Sequence, residues 1–198
     1  MGLDLEYLNG QTPLDEDEKE DLLIDTISTQ GELDQFEQKN IEQALQWTLS
    51  RKFTAKVIFS EAFIKNIHHR MFGEVWKWAG YFRKTNKNIG VDKSQISVAL
   101  LNLLNDVTYW IDHKNFPPDD IAIRFKHRIV SIHCFPNGNG RHSRLMADII
   151  IEKIFNLPVF SWGTTTLLSE GDNRTAYINA LKAADNGDYN LLLAFARS

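Results

Sequence analysis

Apolar residues recur at helical spacing along most of the chain. Ile41, Leu45, Thr48 and Leu49 trace one stripe, Phe59, Phe63, Ile67 and Met71 a second, and Ile96, Leu100, Leu103, Leu104, Val107 and Ile111 a third. Ile121, Ile123, Phe125, Ile129, Val130 and Ile132 form a further apolar segment behind Pro117-Pro118-Asp119-Asp120, which reads as a helix start. Arg141 to Phe155 carries Leu145, Ile149, Ile150 and Ile154 on one helical face, and Asn186-Gly187 reads as a helix stop. The pattern predicts an all-α fold with at most a small hairpin.

Between the last apolar residue of one segment and the first of the next lies His133-Cys-Phe-Pro-Asn-Gly-Asn-Gly-Arg-His-Ser-Arg144. Asn-Gly pairs favour positive φ, so Asn137-Gly138-Asn139-Gly140 can turn sharply and aim successive N–H groups into one concavity. Such a loop feeding a helix N-terminus suits phosphate oxygens, through unsatisfied N–H groups and the macrodipole. Arg141 and Arg144 fall on nearly the same helix face and can grip two further phosphates, which suggests a di- or triphosphate. From Ile121 through Ala147 there is no Asp or Glu, whereas the whole chain has a net charge of −4. A local field opposed to the global one suggests a small anionic ligand more than nucleic acid, although a merely solvated basic face would look similar. A lone His at a helix end is usually structural. Beside a phosphate-type loop, an imidazole with a pKa near neutrality can instead take a proton from an attacking hydroxyl.

The composition sets outer bounds. A chain of 198 residues that is 43% hydrophobic builds one well-cored domain more readily than two. Cys134 is the single cysteine, so no internal disulfide forms, and a buried thiol is a better reading of it than a nucleophile. No apolar run approaches the roughly 20 residues of a membrane span, no signal pattern opens the chain, and Glu6 stands where a myristoylation signal wants Ser or Thr. A cytoplasmic protein without membrane or direct nucleic-acid contact is expected. The acidic run Asp15 to Asp21 reads as a solvated lead-in or the cap of a short helix. Trp47, Trp76, Trp78, Trp110 and Trp162 read as packing, and His68, His69, His113, His127 and His142 lack the spacing of a zinc site.

The His133–Arg144 segment closely resembles the Fic (Fic/Doc, Fido) motif, His-x-Phe-x-(Asp/Glu)-Gly-Asn-Gly-Arg-x-x-Arg. Upstream, His69 to Arg83 is similar to the family's helix ending in Trp-Ala-Gly before a flap, and Tyr177 to Leu193 to its closing helices. The start of the chain, with Ser28-Thr29-Gln30-Gly31-Glu32-Leu33, resembles the subgroup called mobile mystery protein B. The resemblance implies a Fic-type helical domain over residues 55–198, preceded by an N-terminal helical segment over 1–54, with a small β-hairpin flap over the active-site loop. It also implies transfer of AMP from ATP to a Ser, Thr or Tyr hydroxyl of a target protein, with release of pyrophosphate. Carried over residue by residue, His133 is the general base and Phe135 anchors the loop. Gly138, Asn139 and Gly140 hold the α- and β-phosphates, Arg141 the β-phosphate and Arg144 the γ-phosphate.

Asn137 departs from the pattern, standing where the family has the acid that helps hold Mg²⁺. An amide oxygen can ligate a hard cation but brings no charge, so metal affinity should fall. The flap corresponds to Arg83–Asp92, with Ile89, Gly90 and Val91 expected to pair with target backbone, unless the stretch is a plain surface loop. Many members of the family are held off by a helix bearing (Ser/Thr)-x-x-x-Glu-(Gly/Asn), whose Glu pairs with the second motif arginine. Ser28-x-x-x-Glu32 is the preferred candidate, against an ordinary first-turn acid. Thr166-x-x-x-Glu170-Gly171 fits the letters but reads as a chance match in a connection. Inhibition by a separate antitoxin chain, or none, stays open, and the subgroup implies a neighbouring helix-turn-helix protein. Two other functions compete with adenylylation: phosphotransfer or other phosphate-group transfer, which Asn137 alone supports, and a catalytically weak nucleotide-binding toxin–antitoxin module.

Overall fold

The computed structural model describes residues 12–164 and 170–198, the side chains of 170–172 excepted. Its helices are α1 (Glu16–Lys19), α2 (Gln30–Leu49), α3 (Ala55–Ile58), α4 (Glu61–Phe72), α5 (Ile96–Asp112), α6 (Pro118–Ile132), α7 (Asn139–Lys153), α8 (Glu170–Asp185) and α9 (Asn190–Arg197). The Thr166-to-Gly171 match lies outside the described residues and side chains.

Local signals account for several boundaries. Ser60 accepts the Phe63 N–H and Thr29 the Glu32 N–H, so two N-caps satisfy orphan donors, each worth about 1 kcal/mol. Pro118 opens α6, as its fixed φ and missing N–H allow. Gly187, at φ 87°, ends the α8 region where Asn186-Gly187 was expected to.

The core runs along the α6–α7 pair, against which α5, α4 and α9 pack, while α2 lies on α4 and α8 on α9. Ile149, Ile150 and Ile151 of α7 and Phe125 and Ile129 of α6 are buried in it, as are Leu100, Leu103 and Val107 of α5. The stripe read for α2 is rotated from the observed one. Leu45 and Leu49 are exposed, and the buried face is Leu33, Glu37, Asn40, Ala44 and Thr48. Three of those five residues are polar: Glu37 reaches the site described below, Asn40 bonds to Arg70 O and Glu74 N–H, and Thr48 donates to Leu45 O, so apolar periodicity alone could not find the face.

The small β-hairpin expected over residues 83–92 is absent from the described secondary structure. No strand occurs among the described residues, where one isolated bridge joins Leu22 to Trp76. Residues 83–92 form a loop closed by a side chain. The Arg83 guanidinium donates to the carbonyls of Thr85 (2.8 Å) and Val91, and its Nε to His133 O (2.7 Å). The cross-loop bonds to those carbonyls thus come from a guanidinium, where a two-stranded ladder would use backbone N–H groups.

Candidate active site

The α6–α7 connection, residues 133–138, is pinned from several sides. His133 caps α6 in the left-handed region, at φ 57° and ψ 61°, which costs a non-glycine residue energy. The conformation is held by contacts with residues 83–91: Arg83 N–H donates to Cys134 O (2.9 Å) and Val91 N–H to Ile132 O (3.3 Å). Gly90, at φ 101°, is required here, because a Cβ would meet His133 Cβ at 2.7 Å. Cys134 is fully buried, which pushes its thiol up to about 12 and excludes a thiolate nucleophile.

Beneath the loop lies an aromatic stack that the histidine spacing did not disclose. Phe135 is fully buried and stacks on His68, with ring centroids 3.7 Å apart, and meets His142 edge-on. His68 Nδ1 accepts the Gly80 N–H (3.0 Å), so its proton sits on Nε2, which donates to Asn137 O (3.0 Å). Burial holds His68 well below the usual histidine range. A neutral His68 thus fixes the loop carbonyl from below. Asn139, read as a phosphate ligand, also uses its side chain structurally: its Oδ1 accepts Phe135 N–H (3.0 Å) and its Nδ2 donates to Phe135 O (2.8 Å).

Only the first Asn-Gly pair makes the turn. Gly138 is left-handed (φ 75°) and caps α7, where a Cβ would strike the Phe72 ring at 2.5 Å, whereas Gly140 lies inside α7. The helix therefore starts at Asn139, two residues before the apolar pattern suggested, and its first turn presents backbone N–H groups without helical acceptors. Gly138, Asn139, Gly140, Arg141 and Arg144 line a cavity of about 580 Å³ together with His133, Asn137, Ile89, Tyr177 and Trp162. That size lies within the roughly 300–1,000 Å³ of small-molecule sites.

The two motif arginines have different partners. Arg144 stacks over the Tyr177 ring at 4.4 Å, and among the described residues no carboxylate lies within ion-pair distance of it. Arg141 is held by a carboxylate, but from Glu37: NH1 to Oε2 is 2.5 Å, and Trp76 Nε1 donates to the other oxygen at 2.7 Å. Glu37 is buried. Glu32, the carboxylate expected on Arg144, instead accepts the N–H and hydroxyl groups of Ser28 and Thr29 at 3.0–3.2 Å. It completes a capping box at the exposed start of α2, and those donors lower its pKa. Glu37 lacks the Ser/Thr and Gly/Asn neighbours of the inhibitory pattern, and its place on the buried register 33-37-40-44-48 was the signal available.

His133 is buried, and its pKa is lowered to about 4, first by burial and then by the Arg83 charge. The expectation of a pKa near neutrality is corrected by that burial. The ring is neutral at pH 7, the form a base requires. Val130 opposes the shift without reaching hydrogen-bond geometry at Nδ1. Nε2 faces the Thr12 hydroxyl at 3.2 Å, and Asn137 Nδ2 donates to Thr12 O at 3.2 Å.

The donor set does not fit a resident Mg²⁺ site. The Asn137 Oδ1 accepts the Gly138 N–H at 2.6 Å, Glu37 neutralises Arg141, and no group of three or more His, Cys, Asp or Glu converges among the described residues. Among the described residues no helix is long and apolar enough to cross a membrane.

Residues 58–151 match the Fic/DOC family. The chain is 28% identical over 136 residues to the protein adenylyltransferase Fic of Aedes aegypti, an alignment covering 67% of this chain and 26% of that relative. It spans about a quarter of that relative's length. Among solved structures, the BepC protein of Bartonella tribocorum with bound AMPPNP superposes with a TM-score of 0.69 at 18% identity, over 92% of this chain and 97% of that one. The N-terminal Fic domain of a Bep effector of Bartonella quintana with bound ADP gives 0.65 at 16% identity, over 87% and 86%. At these identities the superpositions establish the fold.

Proposed function

We propose, from the match of residues 58–151 to the Fic/DOC family, that this protein transfers AMP from ATP to a hydroxyl side chain of a protein target, releasing pyrophosphate. The observation that carries this reading is a single cavity with a neutral imidazole at one edge and the α7 N-terminus and Arg144 lining it. The bound nucleotides of the two Bartonella structures support a nucleotide in that cavity.

MgATP enters as the substrate. The N–H groups at the start of α7 hold the α- and β-phosphates, and Arg144, backed by Tyr177, holds the γ-phosphate. His133 Nε2 takes the proton of the incoming hydroxyl as its oxygen bonds to the α-phosphorus and the bond to the β-phosphate bridge breaks. The α7 N–H groups and Arg141 stabilise the charge passing to pyrophosphate.

Glu37 restrains this reaction. Its carboxylate occupies the guanidinium fork of Arg141 that a β-phosphate needs, so bound nucleotide and the Glu37–Arg141 pair compete. Inhibition by this helix thus runs through Glu37 and the first motif arginine, in place of Glu32 and the second.

The test exposes a lysate to α-labelled MgATP with wild-type protein, Glu37→Gly, Glu37→Gln, and Glu37→Gly combined with His133→Ala. Label on protein that rises about tenfold or more with either Glu37 change and disappears with His133→Ala is expected. Transfer from γ-labelled ATP without α-label would replace this reading with phosphotransfer, and nucleotide binding without either would leave a binding module.

A further inference from the structure

Thr12 is the residue whose hydroxyl stands at the proposed base, and the chain after it lies across the site. We propose that the segment Thr12–Glu18 occupies the acceptor position and that Thr12 is a self-modification site, accepting the nucleotide monophosphate from within the same chain. The proposal rests on the AMP-transfer reading above and adds an acceptor and its recognition.

Three sets of contacts carry it. The Thr12 hydroxyl is 3.2 Å from His133 Nε2, and Thr12 is buried with its carbonyl held by Asn137 Nδ2 at 3.2 Å. Leu14 is buried and lines the same cavity as Arg141 and Arg144, so the segment enters the nucleotide site itself. The third set seats the residues that follow. Lys87, whose side chain is 3% exposed, pairs with Asp15 at 2.9 Å and Glu18 at 2.5 Å, and reaches Pro13 O at 3.4 Å. Thr85 Oγ1 donates to Asp15 Oδ2 at 2.7 Å, and Trp78 Nε1 to Glu18 O at 3.1 Å. The acidic run is therefore docked against the loop of residues 83–92, with a buried ammonium pairing with two carboxylates, of which Glu18 is largely covered and Asp15 is half exposed. A segment that merely covered the site would need no hydroxyl aimed at Nε2.

The step balances without further reagents. The Thr12 hydroxyl proton passes to His133 Nε2, Oγ1 forms a bond to the α-phosphorus of ATP, the bond from that phosphorus to the bridging oxygen breaks, and pyrophosphate departs with the electron pair. The product is a phosphodiester of AMP on Thr12. The same contacts define the class of target used in trans: a Ser or Thr followed three and six positions later by carboxylates, matching Asp15 and Glu18 on Lys87.

The experiment incubates the full chain, in wild-type and Glu37→Gly forms, with MgATP, reads AMP adducts by intact mass and maps them by peptide fragmentation. A lysate with α-labelled ATP runs in parallel. One AMP on Thr12 is expected, lost with His133→Ala and Thr12→Ala, kept with Thr12→Ser, and formed at a rate independent of protein concentration. Lys87→Glu should slow Thr12 labelling about tenfold, and for a synthetic peptide of residues 12–21 offered to Thr12→Ala protein it should raise KM more than it lowers kcat. His133-dependent label on lysate proteins or on other residues of this chain, with none on Thr12, overturns the self-modification site and leaves AMP transfer standing. An absence of His133-dependent label on any protein overturns both.

Discussion

His133 carries its burial into its chemistry. With its pKa pushed down to about 4, the ring is deprotonated throughout the neutral range, so the acid limb of the transfer rate should lie below pH 6. A pH profile of label transfer between 5.5 and 7.5 is expected to be nearly flat. A limb near 6.5 would mean that the working site exposes this ring to water. His133→Ala should lower transfer roughly 10²–10⁴-fold while leaving ATP binding, measured by calorimetry, within a few-fold. Phe135 is a different kind of residue: Phe135→Ala removes a fully buried ring from the His68 stack and should cost about 3–5 kcal/mol in urea unfolding.

The loop of residues 83–92 and helix α2 are the elements that contact the site from outside the His133–Arg144 segment. Gly90→Ala forces a side chain into a left-handed residue already touching His133, so the loop should detach at a cost of roughly 1–3 kcal/mol. Limited proteolysis within 84–91 should then accelerate, and unchanged cleavage would refute the requirement for glycine. Helix α2 shows where sequence reading fell short. The alternative reading of Glu32 as a first-turn acid was local, and the structure places it in a capping box with Thr29, a contact between residues three apart. Which of its acids would reach the site did not follow, since Glu37 meets Arg141 across 104 positions through the packing of α2 on α4.

For the molecule as a whole, acid stability follows from its buried imidazoles. His133 and His142 are both held near about 4, and His68 is also pushed down, against 6.5 for an unperturbed ring. A depressed folded pKa contributes stability that is complete above about 6.5 and is lost as pH falls toward the folded value. Asp148, raised to about 6 by burial, acts in the opposite sense, contributing most at low pH and least above 6. Three rings outweigh one carboxyl, so the urea midpoint should be lower at pH 5 than at pH 7.5. A midpoint that holds or rises would mean that the rings are hydrated.

The helical set and the His133-to-Arg144 constellation were legible because they are local. One loop and the first turn of one helix place an imidazole, N–H donors and two arginines within twelve consecutive residues, so residue order nearly dictates their geometry. The spacing of apolar residues likewise settles helix against strand wherever a face is purely apolar. Folding in three dimensions supplied the rest: Thr12 at Nε2 across 121 positions, Glu37 on Arg141, Arg83 closing the loop of residues 83–92, and Lys87 on the acidic run. Each is a polar pairing between distant segments, and no local pattern marks which polar groups will meet. The partner of a buried charge is chosen by how whole elements pack, because only packing brings the two faces together and removes the water between them.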